Sequence, residues 1–495
     1  MRRLLLFVSG ALLYLALLAL NQWCLEPGSA ESAQSALQRW RTLPGANVPH
    51  PLGSAAHAQL GEALERHFQA LPLERAHQKT AAGLTNFALR RAGTSALPPV
   101  VLMAHWDSVA AGPGAADDGA GMSVLLELAE RCAKNEAAPL RSTIFLATDG
   151  EERGLLGAKA FFEEHPWARD GGVLINLEAR GTSGPVFLFE TIGNQRALIA
   201  TAQPALPFPA AFSLAAEIYE RMPNDTDLSV FRADPRWHGC NLAFIRGLEH
   251  YHTAQDNAEN LSGASVAHML ESAEGLLEAW QREAHTPQGR EPAPHTSLWG
   301  RVLLWWPARA NLPLALTLCV FAVLMLRSAW RAWLGGWLAL ACAALLGWLC
   351  QRMGLESGVV IAALGLVASL AALEARAAVA LLAQLTLLSA LWLPAALPQA
   401  ALPLLAALLG EALRRILGRE SGLWWLLPLA VVGMAANAPF LLALEWVQGS
   451  ASGVAQAVIA GLVGLPWAYF THTTLYTPAK PPSTASPRAG HLSGP

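Results

Sequence analysis

Short apolar runs that end in acidic or imidazole residues recur through the first half of the chain. Val100-Val101-Leu102-Met103-Ala104 leads to His105, Ile144-Phe145-Leu146-Ala147 leads to Thr148-Asp149-Gly150-Glu151, and Val173-Leu174-Ile175 leads to Asn176-Leu177-Glu178. Such β-branched and apolar runs predict buried strands. Between them lie amphipathic segments. Gly121 to Ala133 places Met122, Leu125, Leu126 and Ala129 on one face, and Val266 to Trp280 repeats the helical period. Residues from about Ser29 to Gln281 therefore read as an α/β domain with a mixed, largely parallel sheet flanked by helices. In open sheets of this class the chemistry sits beyond the carboxyl ends of parallel strands.

The second half follows a different pattern. Almost wholly apolar segments run near Leu312 to Leu326, Trp333 to Cys350, Gly358 to Leu373, Ala377 to Leu393, Leu402 to Leu413, Leu423 to Leu444 and Val454 to Phe470. They predict an all-α multi-spanning domain of about seven helices, with the short, proline-flanked Leu402 segment open to a re-entrant reading. Met1-Arg2-Arg3 before the apolar Leu4 to Leu20 adds an N-terminal signal anchor, expected to stay uncleaved because no small-x-small site follows. The expected division is an anchor over 1–24, an α/β domain over 25–284, a proline-containing linker over 285–300, spans over 301–471 and a disordered tail over 472–495.

Charge supports this threading. With Arg2 and Arg3 inside, Arg327, Arg331, Arg376, Arg414, Arg415, Arg419 and Lys480 also fall inside, against Arg301, Arg309 and Arg352 outside. The α/β domain is then expected on the non-cytoplasmic side, periplasmic or lumenal, of a multi-pass protein. Hydrophobic residues make up 53% and charged residues 14% of the 495, too apolar for an ordinary soluble enzyme. A net charge of −3 offers no basic field, so nucleic acid is not an expected partner. Six cysteines form no CxxC pair or dense disulfide framework.

Two readings compete at each polar cluster. His105 and Asp107, two apart on a strand end, share a face, so the carboxylate can grip one ring nitrogen and leave the other for a metal. Asp117-Asp118 opens a helix, where carboxylates cap amides, yet a two-metal site also needs one carboxylate that reaches both ions. Glu151-Glu152 is either an acidic helix start or a metal ligand beside a general base. Glu178, at the end of a buried strand, needs a cation or a salt bridge to Arg180. Spacing leaves His250 and His252 equally eligible.

The ordered series AHWDS, GAADDGAG, TDGEERGLLGA, NLEARG and YHTAQDN, from about Pro98 to Leu261, resembles the co-catalytic zinc aminopeptidase family. That family includes secreted bacterial leucyl aminopeptidases, glutamate carboxypeptidase II and glutaminyl cyclase. The anchor and multi-spanning half further resemble its membrane branch, of the vacuolar membrane protease and endoplasmic reticulum metallopeptidase 1 type. The resemblance implies two zinc ions, with Asp117 bridging, His105 and Glu178 completing one site, and Glu152 and His252 the other. It implies Glu151 as general base, Asp107 as the residue orienting His105, and Asp118 shaping the bridging turn without being a ligand. Many relatives have aspartate where this chain has Glu178, which predicts metal binding with altered geometry. The implied activity is removal of N-terminal residues from peptides. A glutaminyl cyclase-like acyltransferase and a non-enzymatic transport or interaction protein are the alternatives, and few ionisable residues mid-span weigh against transport. Asn224-Asp225-Thr226-Asp227 to Phe231 is expected near the specificity pocket, and Tyr251 near the substrate. Substrate identity and oligomeric state are not legible in the residues.

Overall fold

The computed structural model describes residues 27–80, 83–220, 225–326, 375–392 and 394–416. The apolar runs form strands whose ends meet. A seven-stranded sheet is built from β1 (Glu74–Lys79), β2 (Thr85–Arg91), β3 (Val100–His105), β4 (Thr143–Thr148), β5 (Gly172–Ala179), β6 (Phe187–Ile192) and β7 (Trp237–Phe244). Its order is β1-β2-β4-β3-β5-β7-β6. The central pairs β4/β3, β3/β5 and β5/β7 are parallel, while β1/β2, β2/β4 and β6/β7 are antiparallel. The sheet is thus mixed and largely parallel at its centre, as the alternation of runs predicts.

Chain order explains why the carboxyl end of β3 becomes a crevice. The chain passes from β3 through a helix to β4 on one side, then crosses to β5 on the other. Connections that leave in opposite directions open a gap above the strand they leave.

Both faces of the central strands are buried, with alternate residues entering different cores. Val100, Leu102 and Ala104 join Phe145, Ala147, Ile175, Leu177 and Leu242 on one face. Val101 and Met103 join Ile144, Leu146 and Leu174 on the other. The first face is covered by α1 (Gln34–Arg41), α2 (Ala55–Ala70), α3 (Gly119–Lys134) and α5 (Gln195–Ala205), together with α7 (Gly263–Arg282). The second is covered by α4 (Leu156–Glu164) and the 3-10 turn Asp227–Phe231, through Ala158, Phe161, Leu228 and Phe231. Helix α3 starts where Asp118 caps it, its side chain accepting the Gly121 N–H.

The stretch expected as a linker lies against the domain. Its end forms β8 (His295–Leu298), which pairs with β9 (Val302–Trp305) just beyond it, where spans were expected, and Leu303 of β9 enters the main core. Phe212, just before α6 (Ser213–Tyr219), bridges Thr296. The prolines that argue against a helix here still have free carbonyls: Pro294 accepts the Trp306 N–H at 3.2 Å and Pro292 accepts that of Ala308 at 3.3 Å.

Three of the expected spans fall within helices: α8 (Asn311–Leu326), α9 (Ala375–Trp392) and α10 (Leu397–Ile416). They pack through small and aliphatic residues, among them Ala315, Ala322, Ala383, Ala401 and Leu404, while Leu316, Val320, Phe321 and Leu324 face outward. The Leu402 segment is the interior of α10, which carries Pro403 within it. Among the described residues no helix is long and apolar enough to cross a membrane. The anchor over 1–24, the segments near Trp333, Gly358, Leu423 and Val454, and the tail over 472–495 lie outside the described residues.

A buried histidine gives the fold a pH dependence. Burial lowers His268 from the ordinary 6.5 to about 4, and its Nδ1 accepts the Val186 N–H at 3.0 Å. The native ring stays neutral, whereas the unfolded chain takes up a proton below 6.5. Stability is therefore unaffected above that pH and is lost as pH falls toward 4, by up to about 3 kcal/mol. Thermal unfolding of the full chain at pH 7 and pH 4.5 is expected to show a smaller acid loss for His268→Asn than for the wild type. Equal losses would remove His268 as a cause.

Candidate metal centre

The chemistry collects at the switch point. Three groups of side chains converge within 4.8 Å: His105, Asp117 and Glu178; Asp117, Glu152 and His252; and His105, Glu151 and Glu152. Asp117 belongs to the first two. His105 ends β3, Glu178 lies near the end of β5, and Glu151 and Glu152 follow β4. Asp117 enters from the loop before α3, whose peptide bond to Asp118 is cis. His252 stands after β7 with φ 56°, a left-handed conformation uncommon outside glycine. Its ring stacks on Tyr251 at 3.7 Å, over which the Arg180 guanidinium lies at 5.1 Å.

Hydrogen bonding fixes what each imidazole presents. His105 Nδ1 lies 3.0 Å from the carbonyl oxygen of Asp107, a pure acceptor, so that nitrogen carries the proton. In the neutral ring, Nε2 then offers a lone pair toward Asp117 Oδ1 at 3.2 Å. That contact is satisfied either by a second proton on the ring or by a metal ion between the two atoms. The Asp107 carboxylate approaches Nδ1 at 3.5 Å, and its Oδ1 accepts the Glu151 N–H at 3.0 Å. Asp107 thus contacts the ring through its backbone as well as its side chain, and links it to the Glu151 turn.

The second group is arranged alike. His252 Nε2 lies 3.1 Å from both Asp117 Oδ2 and Glu152 Oε1. His252 Nε2 and Glu152 Oε1 are buried without a hydrogen-bond partner. Ligand atoms around a tetrahedral zinc stand about 3.3 Å apart, given bonds of about 2.0 Å. These spacings fit that geometry. His250 instead pairs its Nδ1 with Thr182 Oγ1 at 2.8 Å.

The electrostatics also call for cations. Asp107, Asp117, Asp118 and Glu178 are all buried, as is His105, while Glu151, Glu152 and His252 are half-buried. Burial opposes protonation of His105, yet contacts with Asp107 and Asp117 carry its pKa well above the usual value. Burial likewise opposes ionisation of Asp117, but His105 and His252 hold it down at about 2. Burial, together with neighbouring carboxylates, pushes Glu151, Glu152 and Glu178 up. Such a surplus of buried carboxylates over imidazoles is stable only with protons or metal ions among them. Nitrogen and oxygen donors of this kind suit zinc.

Several supporting residues were not predicted from the sequence. Asp256 clamps the loop that carries Asp117, accepting the N–H groups of Ala116 at 2.7 Å and Asp117 at 3.1 Å. It stands in the YHTAQDN motif, which was its available signal. Asp227, inside the segment expected near the specificity pocket, is buried and accepts the hydroxyl of Thr148, the residue opposite His105 in the sheet. His57 Nε2 meets Asp149 Oδ1 at 2.8 Å, and Asp149 also accepts the Thr85 N–H at 2.7 Å. Nothing local to these residues announces such long-range pairings.

A central parallel sheet with histidines and carboxylates gathered above its switch point makes a candidate metal centre. The chain matches, over residues 86–276, the family described as Peptidase family M28. It is 34% identical over 217 residues to the vacuolar membrane protease of Eremothecium gossypii, covering 44% of this chain and 21% of that protein. It is 34% identical over 169 residues to human endoplasmic reticulum metallopeptidase 1, covering 34% and 19%. The chain thus spans about a fifth of the length of those two relatives. Among solved structures, the LapA aminopeptidase of Legionella pneumophila aligns with a TM-score of 0.41 at 17% identity, covering 53% of this chain and 77% of that one. An Acidobacteriales glutaminyl cyclase aligns at 0.37 and 18%, covering 52% and 97%.

The Asp256 clamp provides a test of the support. Asp256→Asn sets an amide against two backbone donors and is expected to cost about 1–3 kcal/mol of stability. It is also expected to lower zinc affinity by about tenfold, read by competition with a chelator. Unchanged affinity in folded protein would show that the loop holds Asp117 without it.

Proposed function

We propose that the chain is a membrane-anchored, zinc-dependent aminopeptidase that hydrolyses the N-terminal bond of peptides on the non-cytoplasmic side. The observation that carries this reading is that Asp117 belongs to both the His105–Glu178 and the Glu152–His252 groups, the arrangement a shared carboxylate needs to serve two ions. His105, Asp117 and Glu178 would hold one zinc, and Asp117, Glu152 and His252 the other. Bound zinc supplies Lewis acidity and lowers the pKa of a coordinated water.

The chain's own groups do the rest. Glu151 stands beside His105 and Glu152, with its backbone N–H fixed by Asp107. Its carboxylate takes the proton from the attacking water and returns it to the leaving amine nitrogen. Asp107 and Asp256 hold His105 and Asp117 in place while this occurs. A free N-terminal amine, in its neutral form, is a nitrogen donor of the kind such a metal site accepts, which supports exopeptidase over endopeptidase action.

The membrane part of the proposal rests on the apolar N-terminal run, the arginine asymmetry of the second half and the outward apolar faces of α8 to α10. Alkaline phosphatase fused after Gln281 is expected to be active, and green fluorescent protein fused after Thr473 to fluoresce. Fluorescence from a fusion after Gln281 would reverse the topology.

For the chemistry, the purified full chain is expected to release N-terminal residues from aminoacyl-fluorophores, to lose this activity with chelator and to regain it with zinc. Glu151→Gln, matched for zinc content, is expected to lose about 10²–10⁴-fold in kcat. Zinc-loaded protein that releases nothing from the panel but cyclises an N-terminal glutamine would make it a cyclase instead.

A further inference from the structure

A row of buried polar side chains leads from the Glu178 carboxylate to the edge of the sheet. On β5, Asn176 shares a face with Glu178, and its Nδ2 donates to Glu178 Oε1 at 3.1 Å. Asn176 lies opposite Asn241 on β7, to whose Oδ1 it donates at 2.7 Å. Asn241 in turn lies opposite Glu190 on β6, where the register shifts between Leu188 and Glu190. Its Nδ2 donates to Glu190 Oε2 at 2.5 Å and to Thr226 Oγ1 at 2.8 Å. The other oxygen of Glu190 accepts from Arg232 at 2.5 Å. Asn176, Asn241 and Glu190 are at most 1% exposed, whereas the Arg232 side chain is 34% exposed.

Donor arithmetic gives this row one direction. Both N–H groups of each amide are used, and the carboxylates at the two ends accept only. Neither asparagine can flip without setting acceptor against acceptor. Arg232 therefore fixes Glu190, Glu190 fixes Asn241, and through Asn176 one oxygen of Glu178 is held. Buried amides and a carboxylate in mid-sheet cost stability relative to apolar packing unless fully satisfied. The opposite face of β5 carries Ile175 and Leu177 in an ordinary apolar core. A glutamate also has one more rotatable bond than an aspartate, and so more freedom to be restrained before it can hold a metal.

We propose that Asn176, Asn241, Glu190 and Arg232 form a positioning relay that fixes the Glu178 carboxylate and sets the affinity of the His105–Asp117–Glu178 group for a divalent cation, an inference that rests on the metallopeptidase reading above. None of the four belongs to the groups that could hold a metal. They act through Glu178, as hydrogen-bonded partners of metal ligands do elsewhere.

The test is zinc affinity rather than turnover. Metal-stripped full chain is titrated with Zn²⁺ against a chromophoric chelator, and with Co²⁺ for the visible spectrum of the bound ion. Asn241→Leu is expected to weaken one metal equivalent by about 10- to 100-fold, leave the other unchanged and alter the cobalt spectrum. Glu190→Gln and Arg232→Met, farther from Glu178, are expected to shift the same equivalent in the same direction by smaller factors. Wild-type affinities for both equivalents in the folded variants would overturn the relay. If Asn241→Leu fails to fold, Arg232→Met at the exposed end decides by the same readout. Wild-type protein that binds no zinc would instead sink the metallopeptidase reading and the relay with it.

Discussion

Asp117 is held between two imidazoles, with Oδ1 facing His105 and Oδ2 facing His252, and the rest of the site depends on that placement. A buried carboxylate is tolerable only where positive charge meets it. The loop carrying Asp117 is tied by Asp256 on one side and by the Asp118 cap of α3 on the other. The strands that bring His105 and Glu178 to it are fully buried parallel strands in fixed register. The hydrophobic core therefore acts on the site directly: it sets the height at which each strand stops, and so where His105 and Glu178 stand.

Much of this arrangement was legible because strand ends leave a local signature. An apolar run that stops at His105 or near Glu178 states both where the strand lies and what stands beyond it. The cap at Asp118 and the helices after Gly119 and Gly263 follow from equally local rules. Asn176, by contrast, reads as an ordinary polar residue in a strand. Its role requires Asn241 and Glu190, whose distances in the chain no local period encodes. Asp256 and Asp227 escaped for the same reason, although both lay inside segments already singled out.

The proline-containing stretch before β8 shows the opposite error of emphasis. Composition there speaks against helix and for a loose connection, since proline withholds a donor. It does not speak against acceptance, and Pro292 and Pro294 use their carbonyls to fasten the chain that follows. Ser213 adds to this by donating to the carbonyl of Ala395, in the turn before α10.

That fastening has a mechanical consequence. Leu303 is packed in the core of the α/β domain and α8 begins at Asn311, so little slack separates that domain from the apolar helices. A domain on a loose tether sweeps a volume and meets substrates from any side. One bolted to its base presents its crevice at a constant height and bearing. Selection of what enters the crevice would then begin before any pocket is reached, with the direction from which it can approach.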